Sequence, residues 1–234
     1  MAARSSKPDP DEAASGNPAM RERILETTDR LFYGQGIRAV GVDTVAAEIG
    51  ISKRTLYNYF PSKDALVVAY LSRRVRPAAI TDAPAAEQIL GDFDRLERSF
   101  ARHGYRGCPF VNAVAEMGDP THGANKIAVA FKEQRRTWFR DLLRRLRVAD
   151  PEGLSTQLML LVDGAIAAAL VRGDPGMARA AREAARVLLV SAGVEVAGGE
   201  AFSPRRRGEG GAKRRMRGFG GAEVESNNRK KTRV

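Results

Sequence analysis

The sequence contains one cysteine and two histidines among its 234 residues. Cys108 cannot form an intramolecular disulfide, and one thiol with two imidazoles supplies too few ligands for a standard zinc site. No uninterrupted apolar run approaches the roughly 20 residues needed to cross a bilayer, and residues 1–18 lack the apolar core of a secretory signal. These absences exclude disulfide scaffolds, zinc fingers and membrane spans, and they predict a cytoplasmic protein without a metal or cofactor.

The chain also lacks the sustained apolar–polar alternation, with turn residues between segments, that a sheet requires. Apolar side chains recur instead at helical spacing. The predicted helices cover about residues 20–34, 42–49, 53–60, 63–74, 89–100, 109–117, 127–146, 153–171 and 177–192. We therefore predict an all-α fold, with a compact N-terminal unit joined to a larger helical body.

Positive charge is unevenly distributed along the chain. Of the net charge of +11, residues 203–234 carry +8, whereas residues 20–75 carry +3 and residues 76–202 only +1. Residues 1–19 carry −1. Because most of the excess lies in the last segment, net charge alone does not predict that the folded part binds nucleic acid.

Composition divides the chain into four segments. Residues 1–19 and the Gly/Arg-rich residues 198–234 lack apolar periodicity and are predicted to be disordered. Residues 20–75 are predicted to form the N-terminal helical unit and residues 76–197 the body. The boundary between them lies just before Pro77. The basic tail either attaches non-specifically to DNA phosphates in a salt-dependent way or has no role; both alternatives are open.

The segment VAAEIGISKRTLYNYF carries the strongest functional signal. Ala46 and Gly50 are small residues on either side of a bend, which lets two helices cross closely around Ile49 and Leu56. This pattern predicts a helix-turn-helix, whose second helix enters a DNA major groove. The outward positions of that helix are Lys53, Arg54, Thr55, Asn58 and Tyr59, with Tyr57 beside the backbone. Their cations, hydroxyls and amide suit phosphates and base edges.

The fourth predicted helix starts with a second candidate feature. Ser62, Lys63 and Asp64 bring free backbone N–H groups and a lysine together at a helix N-terminus, which is a site for an anion such as a DNA phosphate. Taken alone, these residues favour the simpler interpretation, a capped surface helix with a solvated lysine.

The run from Arg23 to about Leu71 resembles the DNA-binding domain of the TetR family of transcriptional regulators. The motifs that carry the resemblance are A-x-x-x-G-I-S-K-R-T-L-Y-N-Y-F and S-K-D-A-L. The resemblance implies a homodimer that binds a palindromic operator, with a C-terminal half that binds a small effector. It assigns Thr55 and Tyr57 to DNA-backbone contacts and Lys63 to a phosphate. The positions that help to choose the operator are Lys53, Arg54, Asn58 and Tyr59.

One position departs from the family pattern. The second helix often begins with Thr or Ser, whose hydroxyl caps the helix and contacts a phosphate, but Val40 and Gly41 stand there in this chain. Glycine can occupy an N-cap but offers no side-chain oxygen. Residues 40–41 are therefore excluded from the predicted contacts.

The body carries only a weak family signature. Its large apolar residues are more typical of a core than of a pocket, but a subset, with one carboxylate, is predicted to line an effector cavity. These residues are Phe93, Leu96, Phe100, Phe110, Glu116, Phe131 and Trp138. A buried Glu116 needs a partner, either a cationic ligand or, more simply, an arginine.

The remaining chemistry-bearing residues of the body favour structural roles. His103 and His122 are predicted to be surface or capping residues rather than metal ligands. Cys108 is predicted to be a structural thiol, with a redox-sensing thiolate as the alternative.

The last two predicted helices are rich in small residues and fit a four-helix dimer interface around a two-fold axis. The predicted interface residues are Leu158, Leu161, Ala165, Ala169, Ala184 and Leu188. The alternative is burial of these residues against the central helices of the same subunit.

The sequence thus predicts a repressor that binds double-stranded operator DNA as a homodimer, is released by a small molecule and has no membrane partner. An enzyme is the first alternative, but the chain shows no Ser-His-Asp, metal or phosphate-loop constellation. The second alternative is an architectural DNA-binding protein that acts through the basic tail.

Overall fold

The computed structural model describes residues 17–76 and 80–196. These residues form nine α-helices and no strand, which confirms the predicted all-α fold. The helices are α1 (Pro18–Gln35), α2 (Val42–Ile49), α3 (Lys53–Tyr59), α4 (Lys63–Arg74), α5 (Ala85–Phe100), α6 (Pro109–Met117), α7 (Gly123–Arg145), α8 (Pro151–Arg172) and α9 (Met177–Ser191).

The first helix begins earlier than its apolar pattern, at Pro18 rather than Met20. The side-chain oxygen of Asn17 accepts the backbone N–H of Ala19 at 2.9 Å and so caps the helix. Proline suits the first helical position because its missing N–H needs no partner there. The prediction of a disordered segment 1–19 is therefore wrong for its last residues. Residues 1–16, Pro77 and the tail from residue 197 onward lie outside the described part of the chain.

Most other helix ends follow signals that the sequence displays. Gly50 adopts the left-handed conformation after α2, and the Ser62 hydroxyl accepts the N–H of Ala65 at 3.0 Å at the start of α4. Pro109 and Pro151 occupy the first positions of α6 and α8. These caps satisfy backbone groups that helix ends leave unpaired.

Helices α5 and α7 begin about one turn earlier than predicted, at Ala85 and Gly123. Their first turns consist largely of small or polar residues, which add nothing to an apolar period. The ring Nδ1 of His122 accepts the N–H of Ala124 at 3.0 Å and caps α7, which confirms the capping role predicted for this histidine.

Two clusters of buried side chains hold the helices together. The first cluster joins α1–α4 with α6 and the first half of α7, and its fully buried members include Ile24, Leu56, Leu66, Tyr70 and Leu71. The second cluster joins α5, the second half of α7, α8 and α9, and its fully buried members include Ile89, Phe93, Phe139, Leu142, Leu143, Leu158 and Leu189.

The first cluster crosses the boundary that composition predicts near residue 75. Phe110 of α6 is buried in it and stacks on the Phe131 ring of α7, with 4.0 Å between ring centroids. Ala128 of α7 is also buried there. As a result, α6 packs against the N-terminal helices, although it follows them by a long stretch of chain.

α8 is the one helix of the described residues that is long and apolar enough, by length and composition, to cross a membrane. Core helices of soluble proteins share these properties. One side of α8 packs in the second cluster, where Leu158 and Val162 are fully buried, and Asp163 in its middle pairs with Lys132 of α7. We therefore interpret α8 as the central helix of the body.

Candidate nucleic-acid interface

The helix α3 is short and is stabilised at both ends. At its start the Ser52 hydroxyl accepts the N–H of Thr55 at 3.0 Å. At its end the N–H of Phe60 donates to the Leu56 carbonyl at 3.0 Å. Leu56 is fully buried, so this side of α3 packs inward and the opposite side faces outward.

The turn between α2 and α3 has the close geometry of a helix-turn-helix. Gly50 has a φ of +80°, a region that glycine enters without the strain imposed by a Cβ. The N–H groups of Gly50 and Ile51 both donate to the Ala46 carbonyl at 3.0 Å. These bonds close the end of α2, and α2 and α3 are joined by a turn of three residues, Gly50, Ile51 and Ser52.

Helix α1 supports the α2–α3 pair at two points. The Arg23 guanidinium donates to the Ile49 carbonyl at 2.9 Å, at the end of α2. The Arg21 guanidinium lies 5.0 Å from the centroid of the Phe60 ring, at the end of α3, within the range of a cation–π contact. The orientation of α3 is therefore determined by α1 as well as by the turn.

Four of the residues predicted to contact DNA are exposed on α3: Lys53, Arg54, Tyr57 and Asn58. Thr55 is half-buried, and its hydroxyl shares a hydrogen bond with the Ser52 hydroxyl at 2.8 Å. The exposed set still offers two cations, an amide and a phenol on one helix face. Such groups match phosphate oxygens and the donor and acceptor groups of base edges.

The structure places Tyr59 differently from the prediction. Tyr59 is half-buried against the first cluster, and its hydroxyl is buried without a hydrogen-bond partner among the described residues. The reason is helical periodicity: residues three apart share a helix face, so Tyr59 lies on the same side as the buried Leu56. Its polarity suggested an outward position that the helix does not provide.

Lys53 has a carboxylate partner that sequence reasoning missed. Its ammonium lies 3.0 Å from a carboxylate oxygen of Asp43, on α2. The hydrogen bond from Lys53 to Asp43 raises the pKa of the lysine. Both side chains are largely exposed, so a DNA phosphate can compete with Asp43 for the same ammonium.

The start of α4 contains the predicted phosphate ligand Lys63. This residue is half-buried, and its ammonium lies 6.0 Å from the centroid of the Phe32 ring, at the outer limit of a cation–π contact. Asp64 is exposed. The phosphate contact of Lys63 stays a prediction.

Helix α4 is attached firmly to α1. The Arg74 guanidinium donates to an Asp29 carboxylate oxygen at 2.8 Å, and the rings of Tyr70 and Phe32 meet edge-on with centroids 5.6 Å apart. Burial raises the pKa of the Tyr70 phenol well above its usual range. Helices α4 and α1 are therefore joined by both an ion pair and a ring contact.

A second candidate site, which we call the α6–α8 groove, lies in the body between α6, α7 and α8. It encloses about 610 Å³, within the size range of small-molecule sites. Its apolar wall consists of Val111, Val114, Ala115, Ala128, Val129 and Met159, and its polar residues are Asn125, Lys132, Glu133, Arg136 and Asp163. Lys132 pairs with Asp163, and Arg136 pairs with Glu133, so the groove presents apolar surface beside neutralised charges.

None of the residues predicted to line an effector cavity lines this groove. Phe93, Leu96, Phe100 and Trp138 are buried in the second cluster, and Phe110 and Phe131 pack in the first. Large aromatic side chains were expected at the pocket, but in this chain they fill the two cores. The groove is lined instead by exposed valines.

Glu116, the predicted polar anchor of the cavity, contacts the N-terminal unit. Its carboxylate accepts the backbone N–H of Arg38 at 2.8 Å. The partner is therefore a main-chain amide, not the cationic ligand or arginine side chain that the sequence suggested. On the same helix, the Asn112 amide donates to the Arg106 carbonyl at 2.7 Å.

The other polar residues of this region have structural positions. Cys108 is buried and occupies the N-cap of α6, and His103 is exposed. Within residues 17–76 and 80–196, no group of three or more His, Cys, Asp or Glu side chains is placed to hold a metal ion.

Half of the predicted dimer residues are buried inside the subunit, which corrects the prediction. Leu158, Ala165 and Ala169 are buried against neighbouring helices, and Leu161, Ala184 and Leu188 are half-buried. The apolar residues of α8 and α9 that do face solvent are Leu160, Leu170, Val171, Val187 and Val190. The residues that the sequence assigned to an interface on α8 therefore lie mostly on its buried side, and the dimer interface itself stays a prediction.

Residues 24–70 match the family model of bacterial regulatory proteins of the tetR family. Residues 125–191 match the model of the tetracyclin repressor-like C-terminal domain. The HTH-type transcriptional regulator YjdC of Escherichia coli is 27% identical over 159 residues, which make up 64% of this chain and 83% of YjdC. EthR of Mycolicibacterium smegmatis, another HTH-type regulator, is 28% identical over 169 residues, 66% of this chain and 76% of EthR.

Solved structures show the same similarity over most of the chain. A crystal structure from Streptomyces avermitilis, assigned as a TetR transcriptional regulator, is 31% identical, with a TM-score of 0.68, and the match covers 75% of this chain and 98% of that one. A TetR-family transcriptional regulator from Streptomyces coelicolor is 29% identical, also with a TM-score of 0.68, over 77% of this chain and 96% of that one.

Proposed function

The chain belongs to the TetR family of transcriptional regulators, and on that premise we propose that it is a cytoplasmic repressor that binds a palindromic operator as a homodimer and is released by a small molecule. The family and the relatives are DNA-binding regulators rather than enzymes. The operator, the dimer and the effector each have a structural feature that supports them.

The exposed face of α3 carries the proposal for the operator. Lys53, Arg54, Tyr57 and Asn58 stand on a helix that is capped at both ends and supported by α1. A rigid short helix presents its side chains at fixed spacing, which is what reading base edges in a major groove requires. Arg54 pairs well with guanine and Asn58 with adenine, whereas Lys53 and Tyr57 suit the DNA backbone.

The exposed apolar side chains of α8 and α9 support a homodimer. Leu160, Val171 and Val187 are 67%, 84% and 46% exposed, and small residues, Gly164 and Ala167, lie between the first two on the same face of α8. Two copies of this face would bury it in a four-helix interface, and the small residues would let the helices approach closely.

The α6–α8 groove supports effector binding. A small molecule with an apolar body would cover the exposed Val111, Val114 and Val129, which solvent now contacts. The Lys132–Asp163 pair at the groove would orient a polar group of the same molecule. Occupancy changes DNA affinity only if the ligand prefers one arrangement of the helices.

Selection of DNA duplexes from a random library by the purified full-length protein tests the proposed function. We expect enrichment of a palindrome and selective binding over a shuffled duplex at near-physiological salt. Tyr57→Ala and Arg54→Ala are each expected to weaken this binding by about 10- to 100-fold, equivalent to about 1–3 kcal/mol. The matched control is Arg145→Ala, which removes an exposed arginine from the far end of α7 and is expected to leave binding unchanged.

The basic tail supports a second candidate function, architectural DNA binding, because residues 203–234 carry a net charge of +8. This function predicts equal binding to selected and shuffled duplexes, a steep decrease with salt, and loss of binding when the tail is removed. Selective binding that survives removal of residues 203–234 would exclude it and support the repressor.

A further inference from the structure

Helix α6 has two faces that contact different parts of the molecule. On one face, Val111, Val114 and Ala115 line the α6–α8 groove. On the other, Glu116 reaches the loop between α1 and α2, which comprises residues 36–41. A helix of this length is rigid, so a movement imposed on one face displaces the other.

The contact between Glu116 and the α1–α2 loop is close and specific. The carboxylate accepts the backbone N–H of Arg38 at 2.8 Å. Gly36 lies beside it with a φ of +98°, and a Cβ at that position would come within 3.2 Å of a Glu116 carboxylate oxygen. The loop therefore has both the backbone conformation and the space that the carboxylate needs.

A second set of contacts joins the residues just before α6 to the end of α1. The Tyr33 hydroxyl, near the end of α1, accepts the backbone N–H of Arg106 at 2.9 Å and donates to the Gly107 carbonyl at 3.1 Å. The Arg106 guanidinium also donates to the Gly34 carbonyl. These bonds fix the residues just before α6, whereas Glu116 lies near the opposite end of α6.

The α1–α2 loop determines where α2 begins. Val40 of this loop is fully buried, and α2 starts directly afterwards with Gly41 as an N-cap that makes no side-chain hydrogen bond. Since α2 and α3 are joined by the hydrogen-bonded turn at Gly50, a shift of the loop moves both helices. The Glu116 carboxylate thus contacts the segment that orients α3.

We propose that Glu116 is a positioning residue that couples the α6–α8 groove to α3. A molecule that enters the groove displaces α6 and breaks the contact between the Glu116 carboxylate and the Arg38 amide. The loss of this contact reorients α3. This inference rests on the proposed function and adds to it the route by which the groove acts. The coupling requires two arrangements of α6, of which the filled groove favours the second.

A double-mutant cycle tests the coupling without knowledge of the effector. Val129→Trp places an indole in the groove from α7 and serves as the probe. In the wild-type background we expect it to weaken binding to the selected duplex by at least about 5-fold, the lower end of usual allosteric couplings. In the Glu116→Ala background, where the contact is already absent, the same substitution is expected to have less than a twofold effect.

Two matched variants separate positioning from general damage. Ile80→Trp adds the same indole at another exposed apolar position, outside the groove, and is expected to leave binding unchanged. Glu116→Gln retains an oxygen that accepts the Arg38 N–H, so it is expected to restore the sensitivity to Val129→Trp that Glu116→Ala removes. Equal effects of Val129→Trp in all three backgrounds would overturn the proposal.

Amide hydrogen exchange at Arg38 supplies a measurement that does not depend on DNA. We expect slow exchange in the wild type and in Glu116→Gln, and faster exchange in Glu116→Ala and in Val129→Trp. Unchanged exchange in Val129→Trp would show that the groove does not reach the loop. If the wild type selects no duplex, the proposed function fails, whereas the exchange data still decide whether Glu116 couples the two sites.

Discussion

Helices α3 and α8 differ in how much of their outward face a sequence can reveal. In α3 the buried Leu56 stands among polar residues, so the contrast identifies the inward side. Of the residues predicted to face outward, only Thr55 and Tyr59 are half-buried. In α8 apolar residues surround nearly the whole helix, with Leu158 fully buried and Leu160 67% exposed. The comparison shows that a helix face can be assigned from sequence when polar residues mark the solvent side, and not from small residues alone.

The largest expected effect is on the free energy of unfolding, and it distinguishes the buried side of α8 from its exposed side. Leu158→Ala removes a fully buried side chain and is expected to lower the free energy of unfolding by about 2–5 kcal/mol, because it leaves a cavity in the second cluster. Leu160→Ala is expected to change the stability of the isolated subunit by at most about 0.5 kcal/mol.

Urea denaturation at several protein concentrations measures this difference. The effect of Leu158→Ala is expected to be independent of concentration, since it acts within the subunit, whereas any effect of Leu160→Ala grows as the dimer forms. A concentration-independent loss of several kcal/mol for Leu160→Ala would show that α8 is packed with the opposite face inward.

The next effect concerns the dimer itself. Leu160→Glu puts a carboxylate on the exposed apolar face of α8, where dimer formation would bury it without a partner. An unpaired buried charge costs several kcal/mol, so the dissociation constant of the dimer is expected to rise by about 100-fold or more. Analytical ultracentrifugation measures this constant. The control is Glu183→Gln, which changes an exposed charged residue of α9.

A dimer that persists with unchanged affinity in Leu160→Glu would place the subunit interface elsewhere. When Leu160→Glu weakens the dimer, operator affinity is expected to fall as well, because a monomer reaches only one half-site. Binding of a single half-site is expected to stay as in the wild type, since α3 is untouched by this substitution.

The sequence predicted the helices and the exposed side of α3 better than it predicted the packing of the body, for a physical reason. Caps such as Gly50 and Ser62 are local signals that need no knowledge of tertiary contacts. Glu116 and Arg38, in contrast, are distant in the chain, and no local pattern indicates that their carboxylate and amide meet. The groove was missed because a cavity is the space that packing leaves, and the aromatic residues expected there, such as Phe93, fill the core.

Asp43 was also missed, and it offers a smaller test of the α3 face. Asp43→Asn removes the carboxylate that pairs with Lys53 and leaves the ammonium free for a phosphate. We expect higher affinity for selected and shuffled duplexes alike, and a salt dependence steeper by about one phosphate contact. Fluorescence anisotropy at several salt concentrations measures both quantities.

Glu48→Gln is the matched control for Asp43→Asn. It removes the same charge from the same helix, but Glu48 pairs with Arg30 of α1 instead of a residue of α3. If both substitutions raise DNA affinity equally, general electrostatics explains the effect and Lys53 makes no specific phosphate contact.

The smallest expected effect is on the pH dependence of stability, and it concerns exposed ion pairs in the N-terminal unit and in the body. In the N-terminal unit, the hydrogen bond from Arg73 lowers the pKa of Glu22 below its ordinary value of 4.5. In the body, the hydrogen bond from Arg136 does the same for Glu152, and Arg144 also contacts that carboxylate, at 2.9 Å. A carboxyl with a lowered folded-state pKa stabilises the fold above its unfolded pKa, and this contribution is lost as the pH falls through the folded pKa.

Stability is therefore expected to decrease as the pH falls from about 5 to 3, the range in which such carboxylates become protonated. Glu22→Gln and Glu152→Gln should each reduce this decrease, and Glu152→Gln more so, because three arginines, Arg136, Arg140 and Arg144, pair with its carboxylate, whereas among the described residues Arg73 alone pairs with Glu22. Both effects are expected to be small, since water screens exposed pairs. Urea denaturation at pH 6 and pH 3.5 measures them, and equal pH dependence in both variants and the wild type would show that neither ion pair contributes to the stability of its region.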